Sequence, residues 1–86
     1  MPPGAPPSFG HTHRTQEEIY LCVRGAVALR LDDQVTELPA GASVLIPPGV
    51  VRAVRNESDE EAELVLLSVR VDDLRAEVEM VPDFWA

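Results

Sequence analysis

Gly10-His11-Thr12-His13, four further residues, Glu18, six further residues and Gly25 form the stretch that decides how this chain is read. Two histidines one residue apart on an extended segment project to the same side of the backbone. A carboxylate five positions beyond the second histidine, at the start of an apolar strand, can turn back toward them. Two neutral imidazoles and one carboxylate make a ligand set for a divalent transition metal, with positions left open for substrate.

Outward from this stretch the chain reads as short β segments. Glu18 to Arg24 alternates Glu18, Tyr20, Cys22 and Arg24 on one face with Ile19, Leu21 and Val23 on the other. Ala26 to Leu31 is a second strand, turned by Asp32-Asp33-Gln34 into Val35 to Leu38. A Pro39-Ala40-Gly41 turn leads to Ser43 to Ile46; Pro47-Pro48-Gly49 breaks the pattern and Val50 to Val54 resumes it. Gly25, Gly41 and Gly49 are placed for turns that require positive φ. After an acidic loop (Glu57, Asp59, Glu60, Glu61, Glu63) comes the β-branched run from Ala62 to Val71. Six or seven such strands, with turn signals every six to twelve residues, predict an antiparallel sandwich or small barrel.

Residues 1–8 are a Pro-rich leader, extended or mobile; 9–71 form the barrel; 72–86 are a C-terminal segment docking on the barrel or on a partner subunit. Asp72 to Glu79 is the one stretch compatible with a helical turn. Phe84 and Trp85 are too apolar for a free tail and are expected to pack.

A second constellation follows the first: Gly41, five residues, Pro47-Pro48-Gly49, two residues, Arg52, three residues, Asn56. In order and spacing, the two together resemble the signature motifs of the cupin family over residues 10–56, and the later strands continue the likeness to about residue 71. The resemblance implies a small antiparallel jelly-roll barrel with an internal pocket. It implies His11, His13 and Glu18 as ligands of a divalent transition metal (iron, manganese, nickel, zinc or copper). Only ten residues precede the His-x-His segment, so the N-terminal strands are expected to be shortened.

Arg52 departs from the family pattern, in which a histidine supplies the fourth ligand. Arginine carries only donors and cannot ligate a metal. Two readings follow. In one, a metal sits on His11, His13 and Glu18, and Arg52 holds a carboxylate or enolate of the substrate through a forked pair of hydrogen bonds. The protein is then a metal-dependent enzyme, oxidative (dioxygenase-like) or an isomerase or cyclase, acting on a small anionic or oxygen-rich molecule. In the other, Arg52 pairs with Glu18 and the pocket is a metal-free, non-catalytic small-ligand module. Tyr20 shares the face of Glu18 and either positions substrate or is a core tyrosine. Cys22 reads as a small core residue.

Composition narrows the classes. The 86 residues make one domain, with 15 acidic against 7 basic residues and a net charge of -8. A phosphate backbone needs a basic face, so no nucleic-acid partner is expected. Every basic residue is arginine, and without a lysine neither Schiff-base chemistry nor a phosphate-loop lysine is available. One cysteine allows no internal disulfide. No signal-peptide pattern and no membrane-length apolar run is present, so the expectation is a cytoplasmic protein without a membrane partner. The outward apolar set Ile19, Leu21 and Val23 predicts a homodimer.

Overall fold

Apolar–polar alternation broken by turn residues produces eight strands and one helical turn in the computed structural model, which describes residues 1–69 and 72–85. The strands are β1 (Gly10–His13), β2 (Glu18–Arg24), β3 (Ala26–Leu31), β4 (Gln34–Pro39), β5 (Ser43–Ile46), β6 (Arg52–Arg55), β7 (Glu63–Ser68) and β8 (Val78–Val81). The turn α1 (Leu74–Glu77) precedes the last of them. Two antiparallel sheets result, one ordered β4-β3-β6-β1-β8 and the other β5-β2-β7. This is the all-β antiparallel architecture that the turn spacing predicts, and the jelly-roll type that the family resemblance implies. No helix among the described residues is long and apolar enough to cross a membrane.

The period-two pattern of β2 decides which side chains meet. Glu18, Tyr20 and Cys22 point between the sheets and are buried, whereas Ile19 and Val23 remain exposed on the outer face. Tyr20, Cys22 and Ile46 from the smaller sheet pack with Val27, Leu29 and Leu38 from the larger, together with Ala62. Leu29 and Ile46 expose nothing. Each such side chain contributes roughly 2 kcal/mol by burial. Arg24 leaves the inward set because the β2–β7 register shifts between Cys22 and Arg24. It lies exposed beside Glu63, with Nη1 3.2 Å from Oε1.

Gly25 shows why the motif ends in glycine. Its φ is +73°, and a Cβ there would lie 2.6 Å from the Glu61 carbonyl oxygen. A side chain is opposed both by the left-handed backbone and by the neighbouring main chain.

Three segments differ from the sequence reading. The strand expected from Val50 begins at Arg52, and the backbone at Val51 is engaged by the turn between β3 and β4. Asp32 N–H donates to Val51 O at 2.8 Å, and Val51 N–H donates to Asp32 Oδ1 at 2.9 Å. The strand expected over Ala62 to Val71 is observed from Glu63 to Ser68, while residues 70 and 71 lie outside the described residues. The C-terminal segment adds β8, which pairs with β1 from Gly10↔Val81 to His13↔Val78. The large sheet therefore extends past residue 71, and the histidine strand is flanked on both sides.

The remaining C-terminal residues cross the outside of the large sheet. Arg30 stacks 4.3 Å from the Phe84 ring centroid and donates to the Phe84 carbonyl at 2.6 Å. Arg55 stacks 4.4 Å from the Trp85 ring. Arg30 thus engages its charge in a cation–π contact with the C-terminal segment. At the other end of the chain, Met1 is tied by Asn56 Nδ2, which donates to its carbonyl at 2.9 Å. Ser8 is tied to Val54, whose N–H donates to Ser8 Oγ at 2.8 Å.

Candidate metal centre

Extended backbone at His11-Thr12-His13 places both imidazoles on the inner face of the large sheet, with their rings 5.2 Å apart and edge to face. Arg52 lies opposite His11 in the β1–β6 register and therefore shares that face. Glu18, the first residue of β2, reaches them from the opposing sheet. Its Oε1 lies 3.1 Å from His13 Nε2, 3.7 Å from His11 Nε2 and 3.6 Å from Arg52 Nε. His11, His13, Glu18 and Arg52 thus converge on one carboxylate oxygen.

The two sequence motifs are also joined through the backbone. Gly49 N–H donates to the His13 carbonyl at 2.8 Å, and Arg52 Nη2 donates to the Pro47 carbonyl at 3.2 Å. The Pro-Pro-Gly turn thereby holds the histidine strand and the arginine in one frame.

Arg52 is wholly buried, and among the described residues its Nε and Nη1 find no hydrogen-bond partner, nor does the buried Glu18 Oε1. Burial pulls the pKa of Arg52 below its ordinary value, and Glu18 is the foremost charge pulling it back. Burial also holds His11 below its ordinary value, against the opposing pull of Glu18. His11 is accordingly neutral near pH 7, the form that ligates. Tyr20 lies in the core cluster, and burial pushes its phenol up to about 12, with Glu18 adding to the shift. Its hydroxyl is a neutral donor beside two charged groups.

The donor set fits a divalent transition ion. One ligand atom from each of His11, His13 and Glu18 lies within 4.8 Å of the others, and the Glu18 oxygen on which both imidazoles converge is the atom an ion would take up. Arg52 closes the side from which a fourth protein ligand would come. The cluster is open mainly at His11, whose side chain keeps 25% exposure against 6% for His13 and 8% for Glu18. A groove of about 410 Å³ elsewhere is lined by Val27, Val35, Glu37 and Glu57, none of which belongs to this cluster.

Sequence reasoning missed Glu77. It comes from α1, whose start is capped by Asp73: Oδ1 accepts from Arg75 N–H at 3.0 Å. The Glu77 carboxylate accepts from Thr15 N–H at 2.8 Å, Thr15 Oγ1 at 3.0 Å and Gln16 N–H at 2.6 Å. Its Oε1 lies 4.0 Å from His13 Nδ1. No local pattern near residue 77 marks this role, because the partners lie about sixty residues away and meet it only through β8.

With this geometry in place, the match of the Cupin domain family to residues 1–69 is decisive. The protein is a cupin. Solved structures agree with that assignment. A cupin protein from Bacteroides fragilis is 31% identical, with a TM-score of 0.75 over 86% of this chain and 63% of its own. The TT1209 protein from Thermus thermophilus is 28% identical, with a TM-score of 0.73 over 79% of this chain and 64% of its own. A sugar phosphate isomerase of the cupin superfamily from Silicibacter pomeroyi is 21% identical, with a TM-score of 0.72 over 96% of this cupin and 63% of its own chain. At that identity the last likeness is one of fold. This cupin spans less than two thirds of each of these chains. No curated protein matches it.

Proposed function

We propose that this cupin is a metal-dependent enzyme acting on a small anionic or oxygen-rich molecule. His11, His13 and Glu18 hold a divalent transition ion, and Arg52 anchors the substrate. The observation that carries the reading is the pair of unpartnered donors on a fully buried Arg52, directly beside the three-residue donor set. A buried guanidinium with open N–H groups calls for an acceptor, and a carboxylate or enolate oxygen supplies one. A divalent cation and a guanidinium repel at close range, so an anion between them reconciles the two.

The ion, when bound, polarises a coordinated oxygen or supports oxidative chemistry. The chain's own residues then have separate tasks. Arg52 orients the anionic end of the substrate, and Tyr20 offers a neutral hydroxyl to it. The Pro47 carbonyl fixes the far nitrogen of Arg52, leaving Nε and Nη1 for ligand. The apolar cluster behind Tyr20 keeps water from that side. Oxidation ranks first and isomerisation or cyclisation second, since fold alone does not select a reaction.

A second reading rests on one distance. Arg52 Nε lies 3.6 Å from Glu18 Oε1, close enough for the ion pair to stand in place of a metal. The protein is then a metal-free binding module. Elemental analysis of protein purified without chelators separates the two. Near-stoichiometric metal that is lost when His11 and His13 are both changed to alanine supports the enzyme. Metal-free protein that stays empty after loading with manganese, iron, zinc and copper overturns it. With oxalate as an anionic probe of the loaded protein, Arg52→Gln is expected to weaken binding at least about tenfold.

The protein further acts as a homodimer. Ile19, Val23, Leu45, Val65 and Leu67 are exposed together on the outside of the β5-β2-β7 sheet. They present on the order of 500 Å² of apolar surface, at the upper limit for a monomer. That is the scale at which a second copy, using the same face, forms a modest isologous interface.

A further inference from the structure

We propose that Glu77 is a positioning residue for the metal centre, presenting a carboxylate to the back of His13 so that its Nε2 is held toward the ion. The inference rests on the metal-binding reading above and assigns a role to a residue outside the ligand set.

His13 presents its two ring nitrogens to opposite sides. Its Nε2 faces Glu18 at 3.1 Å, on the side where His11 also converges. Its Nδ1 points the other way, is buried and has no hydrogen-bond partner among the described residues. A histidine that ligates through Nε2 carries its proton on Nδ1, and that N–H needs an acceptor. The charged group nearest to it is Glu77 Oε1, at 4.0 Å. This exceeds hydrogen-bond distance but lies well within the range where a carboxylate favours an N–H over a lone pair.

Glu77 is itself held in place. Three hydrogen bonds from Thr15 N–H, Thr15 Oγ1 and Gln16 N–H fix the carboxylate, and Arg14 N–H donates to its backbone carbonyl at 3.0 Å. Residues 14–16 directly follow the histidine strand, and β8, beginning at Val78, pairs with that strand. The carboxylate is therefore referenced to the backbone carrying His13 from both directions. The oxygen nearest His13, Oε1, is the one that also accepts from Thr15 and Gln16, so the loop clamp is what holds the charge beside the imidazole.

Glu77→Gln separates the two roles. The glutamine oxygen still accepts from both backbone N–H groups, and its amide can donate to Thr15 Oγ1, so the loop remains clamped. Only the charge facing His13 is lost. Zinc affinity, measured by competition with a chromogenic chelator, is expected to fall about 10- to 100-fold. The metal-free variant should still fold cooperatively, with its melting temperature near neutral pH lowered only by the stability that the ionised carboxylate contributes. Equal zinc affinity in wild type and Glu77→Gln overturns the inference and leaves the metal-site reading standing. Absence of zinc binding by the wild type overturns both. A measurement on the wild type alone covers the case of a variant that fails to fold. In zinc-loaded protein, ¹⁵N-resolved imidazole spectra should show His13 protonated at Nδ1. Protonation at Nε2 would refute the proposal.

Discussion

Glu77 and His11 show how burial and hydrogen bonding set charge at single residues. Burial by itself would raise the Glu77 carboxyl, but the bonds from Thr15 and Gln16 prevail and hold it below the ordinary carboxylate value. A carboxyl depressed in the folded state stabilises the protein above its unfolded value, and that contribution is lost as pH falls through the folded one. Melting temperature followed downward through the carboxylate range should therefore fall less steeply in Glu77→Gln than in wild type. Parallel curves would mean that Glu77 is not held ionised by the fold. His11 is also depressed, chiefly by burial, so metal binding near neutral pH requires little proton displacement from it.

At the scale of elements, each turn must deliver its strand in register. Gly25 joins β2 to β3 at φ +73°, with the Glu61 carbonyl where a Cβ would be. Gly25→Ala is expected to cost at least about 2 kcal/mol. That corresponds to a fall in melting temperature of roughly 10 °C for a domain of this size. A change within about 2 °C would show that the turn relaxes freely.

The same element explains what the sequence discloses. The alternation of Glu18 to Arg24 and the flanking glycines make β2, its inward face and its end legible, since each rests on local chemistry. His11, His13, Glu18 and Arg52 were legible as a group because spacing and sheet period act together. The β8 strand was not, because Val78–Val81 is short and its pairing is decided by β1, far earlier in the chain. Glu77 was hidden for the same reason. The Arg30 and Arg55 contacts to Phe84 and Trp85 likewise depend on where the C-terminal segment crosses the sheet.

Over the whole molecule, the two sheets differ in how they are covered. The large sheet carries the C-terminal aromatics on its outer face, whereas the outer face of β5-β2-β7 is bare and apolar. Light scattering behind size exclusion should give about twice the 9.4 kDa chain mass, and Ile19→Glu with Leu67→Glu should give the monomer. A stable wild-type monomer would contradict the dimer. The same two-sheet arrangement places Glu18 on one wall and His11, His13 and Arg52 on the other, so the site exists only when the sheets close. At that site the donor set is proposed to hold an ion beside a buried guanidinium. A crystal structure of metal-loaded protein, with anomalous scattering collected at the metal edge, tests this most directly. The expected result is a peak bounded by the His11 and His13 Nε2 atoms and the Glu18 carboxylate, with Arg52 adjacent and not ligating. No peak there, with the Arg52 guanidinium forked onto Glu18 in its place, would contradict it.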